Sequence, residues 1–280
     1  MYNARSGVRL IGRLTTLMSA QSSVQLILTA LPDLPLVQPG DDVAALILAG
    51  LRSAEITLAL GDVIAIAQKI VSKAEGRLVK LSEVTPSARA LELAALTQKD
   101  PRFVEVVLSE SKEVLRTRFN TLIVEHRLGY VCANAGVDRS NVGPASDEEG
   151  QGEYLLCLPH DPDGTCQRLR ERFRAETGVD VAVIINDSHG RAWRQGTVGV
   201  ALGAAGFPAL HDMRGHRDLF DYTLQVTQIG LADELAAAAS LLMGQADEGR
   251  PVIHIRGVPY PFREGMAQEL IRPKEMDLFR

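Results

Sequence analysis

The sequence predicts a mixed α/β (α+β) protein, built as one compact unit with sub-lobes. Two runs dense in β-branched residues, Val63 to Ala67 and Val181 to Ile185, are typical of buried strands. Runs with the helical spacing of apolar residues lie among them, such as Val43 to Leu51 and Leu231 to Met243. The 280 residues are 46% hydrophobic and 23% charged, which is the balance of a folded chain with a sizeable core.

The chain is expected to begin with a flexible extension, a strand and a short helix. Residues 1 to 23 carry arginines without any acidic residue, but they lack the apolar core and cleavage site of a targeting peptide. Residues 24 to 28 suit a first strand, and two prolines make residues 31 to 35 a rigid loop. Asp42 stands before the apolar run that starts at Val43, where its side chain can cap a helix.

The middle of the chain predicts helices followed by a hairpin. Gln68, Lys69 and Lys73 come directly after a buried strand, where loops commonly carry functional residues. Residues 86 to 98 and 101 to 115 show helical spacing. The segments 122 to 125 and 130 to 133 predict two strands paired across a short turn containing Gly129.

Polar loops and further regular elements follow the hairpin. Residues 134 to 141 form a polar loop that leaves a strand, and residues 144 to 153 are acidic and without periodicity, so we expect them to be mobile. A helix from about 165 to 177 should end at Gly178. The strand that ends at Ile185 presents the polar residues 186 to 191 at its end.

Charge and cysteine content exclude several classes of protein. The net charge is −5 and no long basic run occurs, so no nucleic-acid partner is expected. The three cysteines, Cys132, Cys157 and Cys166, lack C-x-x-C spacing, which indicates neither a disulfide framework nor a thiolate zinc site. No apolar window is long enough to span a membrane. These features favour the reducing cytoplasm.

Two aspartates on separate polar segments are the main candidates for chemistry. Asp138 and Asp187 each follow a predicted strand, and carboxylate oxygens combined with phosphate oxygens are what Mg²⁺ and Mn²⁺ prefer. If the two carboxylates converge, they form a nucleotide-phosphate metal site. The open alternative is that each aspartate caps its own turn.

Basic residues near these aspartates are candidates for phosphate or carboxylate binding. Lys69 and Lys73 can serve as point charges for phosphate, although a solvated face explains them equally well. Arg191 and Arg194 flank Trp193, the single tryptophan, and suit either bidentate anion binding or stacking on the indole at the surface.

Several established chemistries have no support in the sequence. The chain lacks the Walker loop, the G-x-S-x-G nucleophile elbow and the G-x-G-x-x-G dinucleotide fingerprint in its strand-turn-helix setting. His211, His216 and His254 do not have the H-x-x-x-H spacing of a zinc helix.

Ordered stretches of the chain resemble the coenzyme F-420:L-glutamate ligase family from about Val24 to about Gly257. The matching stretches are Leu34–Val37 before Gly40–Asp42, Val71–Arg77, Asn134–Asn141, Leu158–Pro159 with Asp161–Asp163, Asp187–Arg194, Ala232–Ala236 and Met243–Gln245. The resemblance implies a ligase domain over residues 24 to 280 and an intertwined homodimer.

The resemblance also implies which residues bind GTP and metal. The residues implied for GTP are Leu34, Pro35, Leu36, Val37, Gln68, Lys69, Lys73, Asn141, Met243, Gly244, Gln245 and Ala246. Two divalent ions, Mn²⁺ or Mg²⁺, would be held by Asp138, Asp187, Ser188 and Gln245, with a monovalent cation as an additional candidate. Asp187, Lys73 and Arg191 are the implied catalytic residues.

The reaction implied by the resemblance joins L-glutamate to the deazaflavin precursor of coenzyme F-420 through an acyl-phosphate, releasing GDP and phosphate. Two alternatives stay open, a non-catalytic nucleotide-binding relative and a ligase for another acceptor. The sequence departs from the family pattern at Ser188, where threonine is usual, at Ala192, where proline is usual, and at Asp221, where glycine is common. The last departure puts the local backbone shape in doubt.

Overall fold

A computed structural model describes residues 24–143, 154–259 and 263–278. The strands are β1 (Ile27–Ala30), β2 (Val63–Ala67), β3 (Leu78–Lys80), β4 (Ser111–Arg118), β5 (Thr121–His126), β6 (Val131–Ala133), β7 (Tyr154–Leu156), β8 (Ala182–Arg191), β9 (Arg194–Ala205), β10 (His211–Asp212), β11 (Gln228–Ile229) and β12 (Val252–Arg256). The helices are α1 (Val43–Ser53), α2 (Gln68–Ala74), α3 (Ala88–Thr97), α4 (Pro101–Ser109), α5 (Pro162–Thr177) and α6 (Leu231–Met243). The expected flexible extension at 1–23 and mobile segment at 144–153 lie outside the described residues.

A five-stranded sheet with the order β1-β12-β2-β8-β9 forms the centre of the fold. Strands β2 and β8 pair in parallel, and the other neighbours pair antiparallel. Because side chains alternate along a strand, Ile64 and Ile66 pack on the face covered by α1 and α5. Val63 and Ala65 pack on the opposite face with α6. The mixed α/β fold is therefore confirmed, as a sheet between two helical layers.

A second lobe is built on the three-stranded sheet β4-β5-β6. Helices α3 and α4 pack on this sheet through a separate apolar cluster that includes Leu93, Phe103, Val107 and Val124. Ala135 and Val137 belong to the same cluster, so the segment that carries Asp138 is anchored in this lobe. The short pair β3-β7 lies next to that segment, because Asp138 forms a β-bridge with Leu156.

Several predicted elements are confirmed, with ends that differ by at most two residues from the prediction. Helix α1 begins at Val43, and the Asp42 carboxylate accepts a hydrogen bond from the Ala45 amide at 3.0 Å, which is an N-cap. Helix α6 spans the predicted residues Leu231–Met243. Strands β5 and β6 pair antiparallel as the predicted hairpin.

Other predicted elements are wrong in length or type. Residues 111–115 belong to β4 and not to the preceding helix, since α4 ends at Ser109. Gln68, Lys69 and Lys73 lie on α2, which follows β2 without a loop. Strand β8 continues through the polar residues to Arg191 because it pairs with β9 along that whole stretch. The first strand begins at Ile27 rather than at Val24.

The three cysteines are free thiols and all are buried, as expected for a chain without a disulfide framework. Throughout residues 24–143, 154–259 and 263–278, no helix combines the length and the apolar character that crossing a membrane requires.

Candidate metal and nucleotide site

Asp138 is held by residues from the start of α2. The Asp138 backbone pairs with Leu156 through hydrogen bonds of 2.9 and 3.0 Å, which fixes the segment against the β3-β7 pair. Its Oδ2 atom accepts a hydrogen bond from Gln68 Nε2 at 2.9 Å and lies 3.2 Å from Lys69 Nζ. Ser72 Oγ donates to Gln68 Oε1 at 2.9 Å and so orients that amide. The partners of the Asp138 carboxylate are therefore distant side chains and not its own turn.

One lysine of α2, Lys69, lies beside this carboxylate, and a second lies further along the helix. Lys69 Nζ also donates to the Ser140 carbonyl oxygen at 3.0 Å. Lys73 follows one helical turn later on the same side of α2. Burial, together with the charge of Lys69, lowers the pKa of Lys73. Lys69 therefore contacts Asp138 and Ser140, and Lys73 is half-buried on the same side of the helix.

Asp187 lies close to Asp138 although the two are far apart in sequence. Burial raises the pKa of Asp138 to about 6, against the opposing charge of Lys69, and the negative charge of Asp187 raises it further. The Asp187 charge also contributes, after burial, to the raised pKa of Cys132 on β6. His189 Nε2 lies 3.0 Å from Asp187 Oδ2, an interaction that fixes the orientation of this carboxylate.

The segment after α6 completes the cluster. Ser188 Oγ donates to Gln245 Oε1 at 2.8 Å, and Asn186 Nδ2 lies 3.2 Å from Met243 Sδ. Asn141 Nδ2 donates to the Ala246 carbonyl oxygen at 2.8 Å. This last bond connects the Asp138–Asn141 segment to the Met243–Ala246 segment, while α2 contacts Asp138. Four of the predicted segments therefore converge: the start of α2, Asp138–Asn141, Asp187–Ser188 and Met243–Ala246.

The donor atoms in this cluster suit a hard divalent cation. Asp138 and Asp187 offer carboxylate oxygens, and Ser188 and Gln245 offer hydroxyl and amide oxygens. A group of three or more His, Cys, Asp or Glu side chains able to hold a metal is not found among the described residues. The carboxylates present fit an ion that takes its remaining ligands from phosphate oxygens and water, as Mg²⁺ and Mn²⁺ do with nucleotides.

Some predicted site residues are not joined to this cluster by contacts in the described chain. The loop Leu34–Val37 packs through Leu34 on Gly50 of α1, and Leu36 is exposed. The Gly40 amide donates to the Ala74 carbonyl oxygen at 2.9 Å, which ties this loop to the end of α2. Arg191 lies at the far end of β8, and its buried Nη1 atom has no hydrogen-bond partner among the described residues.

Sequence reasoning gave no role to two features that the structure places here. His189 lies in the stretch Asp187–Arg194 that resembles the family, but the resemblance implies no role for it. Its contact with Asp187 follows because the two residues share one face of β8. Lys99 and Arg139 line a cavity beside Ser140. A basic residue next to Asp138 in sequence was the one available signal for that cavity.

The departure at Asp221 preserves the backbone shape of a glycine. Asp221 has φ of 64°, in the left-handed region that glycine adopts freely and aspartate tolerates better than most residues. The Asp218 carboxylate accepts hydrogen bonds from the Phe220 and Tyr222 amides at 2.8 and 3.0 Å and holds the turn. The hairpin turn between β8 and β9 closes with Ala192 in place of the usual proline. The next residue, Trp193, has φ of 65°.

Comparison with known proteins finds a family and several close relatives. The profile of the family described as "F420-0:Gamma-glutamyl ligase" matches residues 33–257. A "Coenzyme F420:L-glutamate ligase" of Methanothermobacter thermautotrophicus is 47% identical over 249 residues, covering 88% of this chain and 96% of its own. Proteins with the same name from Methanopyrus kandleri and Archaeoglobus fulgidus are 49% and 44% identical, covering 87% and 88% of this chain and 93% of each relative.

Proposed function

The chain belongs to the F420-0:gamma-glutamyl ligase family, and from this premise we propose that it uses GTP to join L-glutamate to the deazaflavin precursor of coenzyme F-420. The observation that carries the proposal is the proximity of Asp138 and Asp187 beside Lys69, with Lys73 one helical turn further along α2. Two carboxylates next to two ammonium groups suit the cations and the anionic oxygens of a metal–nucleotide complex.

The nucleotide is proposed to lie along α2 with its phosphates toward the two aspartates. Lys69 and Lys73 would contact phosphate oxygens, and Gln68 would keep Asp138 oriented. Asn141 and the segment from Met243 to Ala246 would border the nucleotide on the other side.

Two divalent ions, Mn²⁺ or Mg²⁺, are proposed to be held by Asp138, Asp187, Ser188 and Gln245. When bound, they would supply positive charge that neutralises the phosphates and the developing transition state. The residues around them fix the ligands, since His189 orients Asp187 and Gln68 orients Asp138.

The proposed chemistry has two steps. A carboxylate oxygen of the acceptor attacks the γ-phosphorus of GTP, the bond to the β,γ-bridging oxygen breaks, and GDP leaves. The glutamate α-amine nitrogen then attacks the acyl carbon of the acyl-phosphate, phosphate departs with the oxygen it gained from the acceptor, and the nitrogen gives up a proton. Lys73 would stabilise the charge on the leaving GDP, and Arg191 would contribute positive charge from the far end of β8.

Isotope transfer tests this proposal most sharply. The purified chain is incubated with GTP, Mn²⁺, L-glutamate and the precursor labelled with ¹⁸O in its carboxylate. We expect one glutamyl mass added to the precursor, one GDP per amide bond, and ¹⁸O in the released phosphate. Product without labelled phosphate contradicts the acyl-phosphate. A chain that adds glutamate to neither this nor any other acceptor is a non-catalytic relative.

A homodimer is part of the proposal. The excursion between β10 and β11 exposes Leu219, Phe220 and Val226 almost fully, with exposed fractions of 96%, 90% and 84%. Clustered apolar side chains at this level of exposure are typical of a surface that another chain covers. Sedimentation of the full chain should give twice the monomer mass, and a monomer at micromolar concentration would remove this part of the proposal.

A further inference from the structure

The two candidate carboxylate ligands lie on different lobes of the chain. Asp138 follows Ala135 and Val137, which belong to the apolar cluster of the second lobe. Asp187 lies on β8 in the central sheet. The separation of the two carboxylates therefore depends on how the second lobe packs on the central sheet.

Arg77 connects the two lobes. It follows α2, whose Val71 packs in the core on one face of the central sheet. Arg77 Nη2 donates a hydrogen bond at 2.7 Å to Oε2 of Glu110, the residue that ends α4 in the second lobe. The two side chains are 16% and 11% exposed, so their charges meet largely away from water. Loss of either partner would leave the other charge buried and unpaired, which makes this contact costly to break.

The same guanidinium also holds the segment that pairs with Asp138. Arg77 Nε donates to the Leu158 carbonyl oxygen at 2.8 Å. Leu158 packs tightly on Gly136, where a Cβ atom would lie 2.8 Å from Leu158 Cδ2. Leu156, two residues earlier, forms the β-bridge with Asp138. Arg77 therefore supports Asp138 through the backbone of its neighbours.

Glu110 is held by a second buried residue. The Nδ1 atom of His126 accepts a hydrogen bond from the Leu128 amide at 3.0 Å, so the proton of the neutral ring is on Nε2. This Nε2 atom lies 3.5 Å from Glu110 Oε2. Burial by itself would raise the pKa of Glu110, but the contacts with His126 and Arg77 outweigh it and lower that pKa to about 2. Glu110 therefore stays charged, as its pair with Arg77 requires.

We propose that Arg77 is a positioning residue of the metal site, whose pair with Glu110 sets the separation of Asp138 and Asp187 and so governs the binding of the divalent ions. The proposal rests on the metal-dependent ligase function proposed above. Residues that orient metal ligands commonly contribute about 10–100-fold to metal affinity. Arg77 uses its Nε and Nη2 atoms for contacts within the protein, and it acts on the ions through the packing of the lobes.

Manganese binding to Arg77→Lys and Glu110→Gln tests the proposal. Lysine keeps the positive charge but lacks the fork that reaches both Leu158 and Glu110, and glutamine keeps the shape of Glu110 without its charge. With a GTP analogue that cannot be hydrolysed, each variant should bind Mn²⁺ about tenfold or more weakly than the wild type, as followed by electron paramagnetic resonance. The double variant should be little weaker than either single variant, because both changes break the same pair. The Kd for the nucleotide analogue in EDTA should change less than about twofold.

Arg170→Gln is the matched control for a buried arginine ion pair. Arg170 pairs with Asp180 at 2.7 Å, and its side chain is 13% exposed, close to the value for Arg77. Asp180 precedes β8 and lies at the opposite end of that strand from its polar residues. The control should lower the melting temperature and leave the Mn²⁺ affinity unchanged. A lower melting temperature in Arg77→Lys with wild-type Mn²⁺ affinity would make its pair purely structural and would overturn the proposal.

The outcomes separate this proposal from the ligase function itself. Mn²⁺ binding that weakens in both variants supports the positioning role, even if the wild-type chain does not turn over. Mn²⁺ affinity that falls in Arg77→Lys and not in Glu110→Gln overturns it, since Arg77 would then act independently of Glu110. A wild-type chain that binds no Mn²⁺ overturns it as well. If Arg77→Lys does not fold, the Mn²⁺ affinity of Glu110→Gln decides alone, because Arg77 remains in place there.

Discussion

Asp138→Asn tests whether this carboxylate is held in a position that favours a bound cation. Burial raises the pKa of Asp138 from 3.8 to about 6, and Asp187 adds to the shift. At 1.36 kcal/mol per pKa unit, two units correspond to about 3 kcal/mol of folding free energy. Asparagine removes the charge and can still accept the hydrogen bond from Gln68. We therefore expect the variant to be more stable than the metal-free wild type by about 1–3 kcal/mol above pH 6.

The stability advantage of Asp138→Asn over the wild type should grow as the pH rises. A carboxyl group whose pKa is higher in the folded chain contributes stability below the unfolded pKa and loses it as the pH rises through the folded value. For Asp138 this window runs from about pH 4 to about pH 6. The advantage of the variant should therefore be largest at pH 7.5 and vanish near pH 4.

Equilibrium urea unfolding in EDTA at pH 7.5 and at pH 4 measures both values. Asp33→Asn is the control, since Asp33 is exposed and its left-handed backbone suits asparagine equally well. Adding Mn²⁺ and GTP should stabilise the wild type and not Asp138→Asn. A variant that is less stable at pH 7.5, or an advantage that is the same at both pH values, refutes the reasoning.

Two further variants test the neighbouring residues. Lys73→Ala should raise the Kd for GTP by about tenfold or more, because a charge-assisted contact to phosphate is lost, and nucleotide titration checks it; a change confined to glutamate affinity would place the nucleotide elsewhere. His189→Gln should lower Mn²⁺ affinity by about 10–100-fold in the presence of GTP, since Asp187 loses the group that orients it. Unaltered Mn²⁺ affinity, measured by electron paramagnetic resonance, would show that the histidine has no such role.

The sequence predicted the two strands at the centre of the sheet, β2 and β8, because both are buried on both faces. No strand was predicted at β9 or β12. Val63–Ala67 and the apolar part of β8 are continuous apolar runs rich in β-branched residues, as strands buried on both faces of a sheet are. The polar end of β8 was predicted as a loop, because Asn186, Asp187 and Ser188 have low strand propensity. Tertiary pairing with β9 overrides that local preference.

Close backbone approach explains why the β8–β9 ladder extends this far. A Cβ atom at Gly199 would lie 2.3 Å from the Ala236 carbonyl oxygen of α6, so the glycine lets the strand and helix pack together. In the sequence this glycine is one of several in a glycine-spaced run, and nothing local distinguishes it. Only the packing of α6 against β9 shows that a glycine is required at this position.

In the second lobe, the spacing of apolar residues predicts the wrong type of element for one segment. Residues 111–115 of β4 were assigned to the preceding helix, because Val114 and Leu115 continue the helical spacing of α4. The strand contains register shifts, which break the alternation that would reveal it. A bulged strand of this kind is recognised only through its pairing with β5.

The candidate site also contains some residues that could be identified from the sequence and some that could not. Asp138 and Asp187 could be identified as candidates because each lies in a polar segment after a predicted strand. Whether the two carboxylates converge was left open, since β6 and β8 belong to different sheets and nothing local connects them. The contact of Lys99 and Arg139 with the same Phe103 ring could not be predicted, because the two residues lie on different segments of the chain. Long-range assembly of this kind has no local signature in the chain.

Manganese binding in the presence of a non-hydrolysable GTP analogue tests the central claim most directly. The wild-type chain should bind two ions per chain, and Asp187→Asn should lose tight binding of both while its circular dichroism stays unchanged, because the substitution is nearly isosteric and removes a metal-binding charge. Manganese binding by Asp187→Asn that equals the wild type in number and affinity would contradict the account.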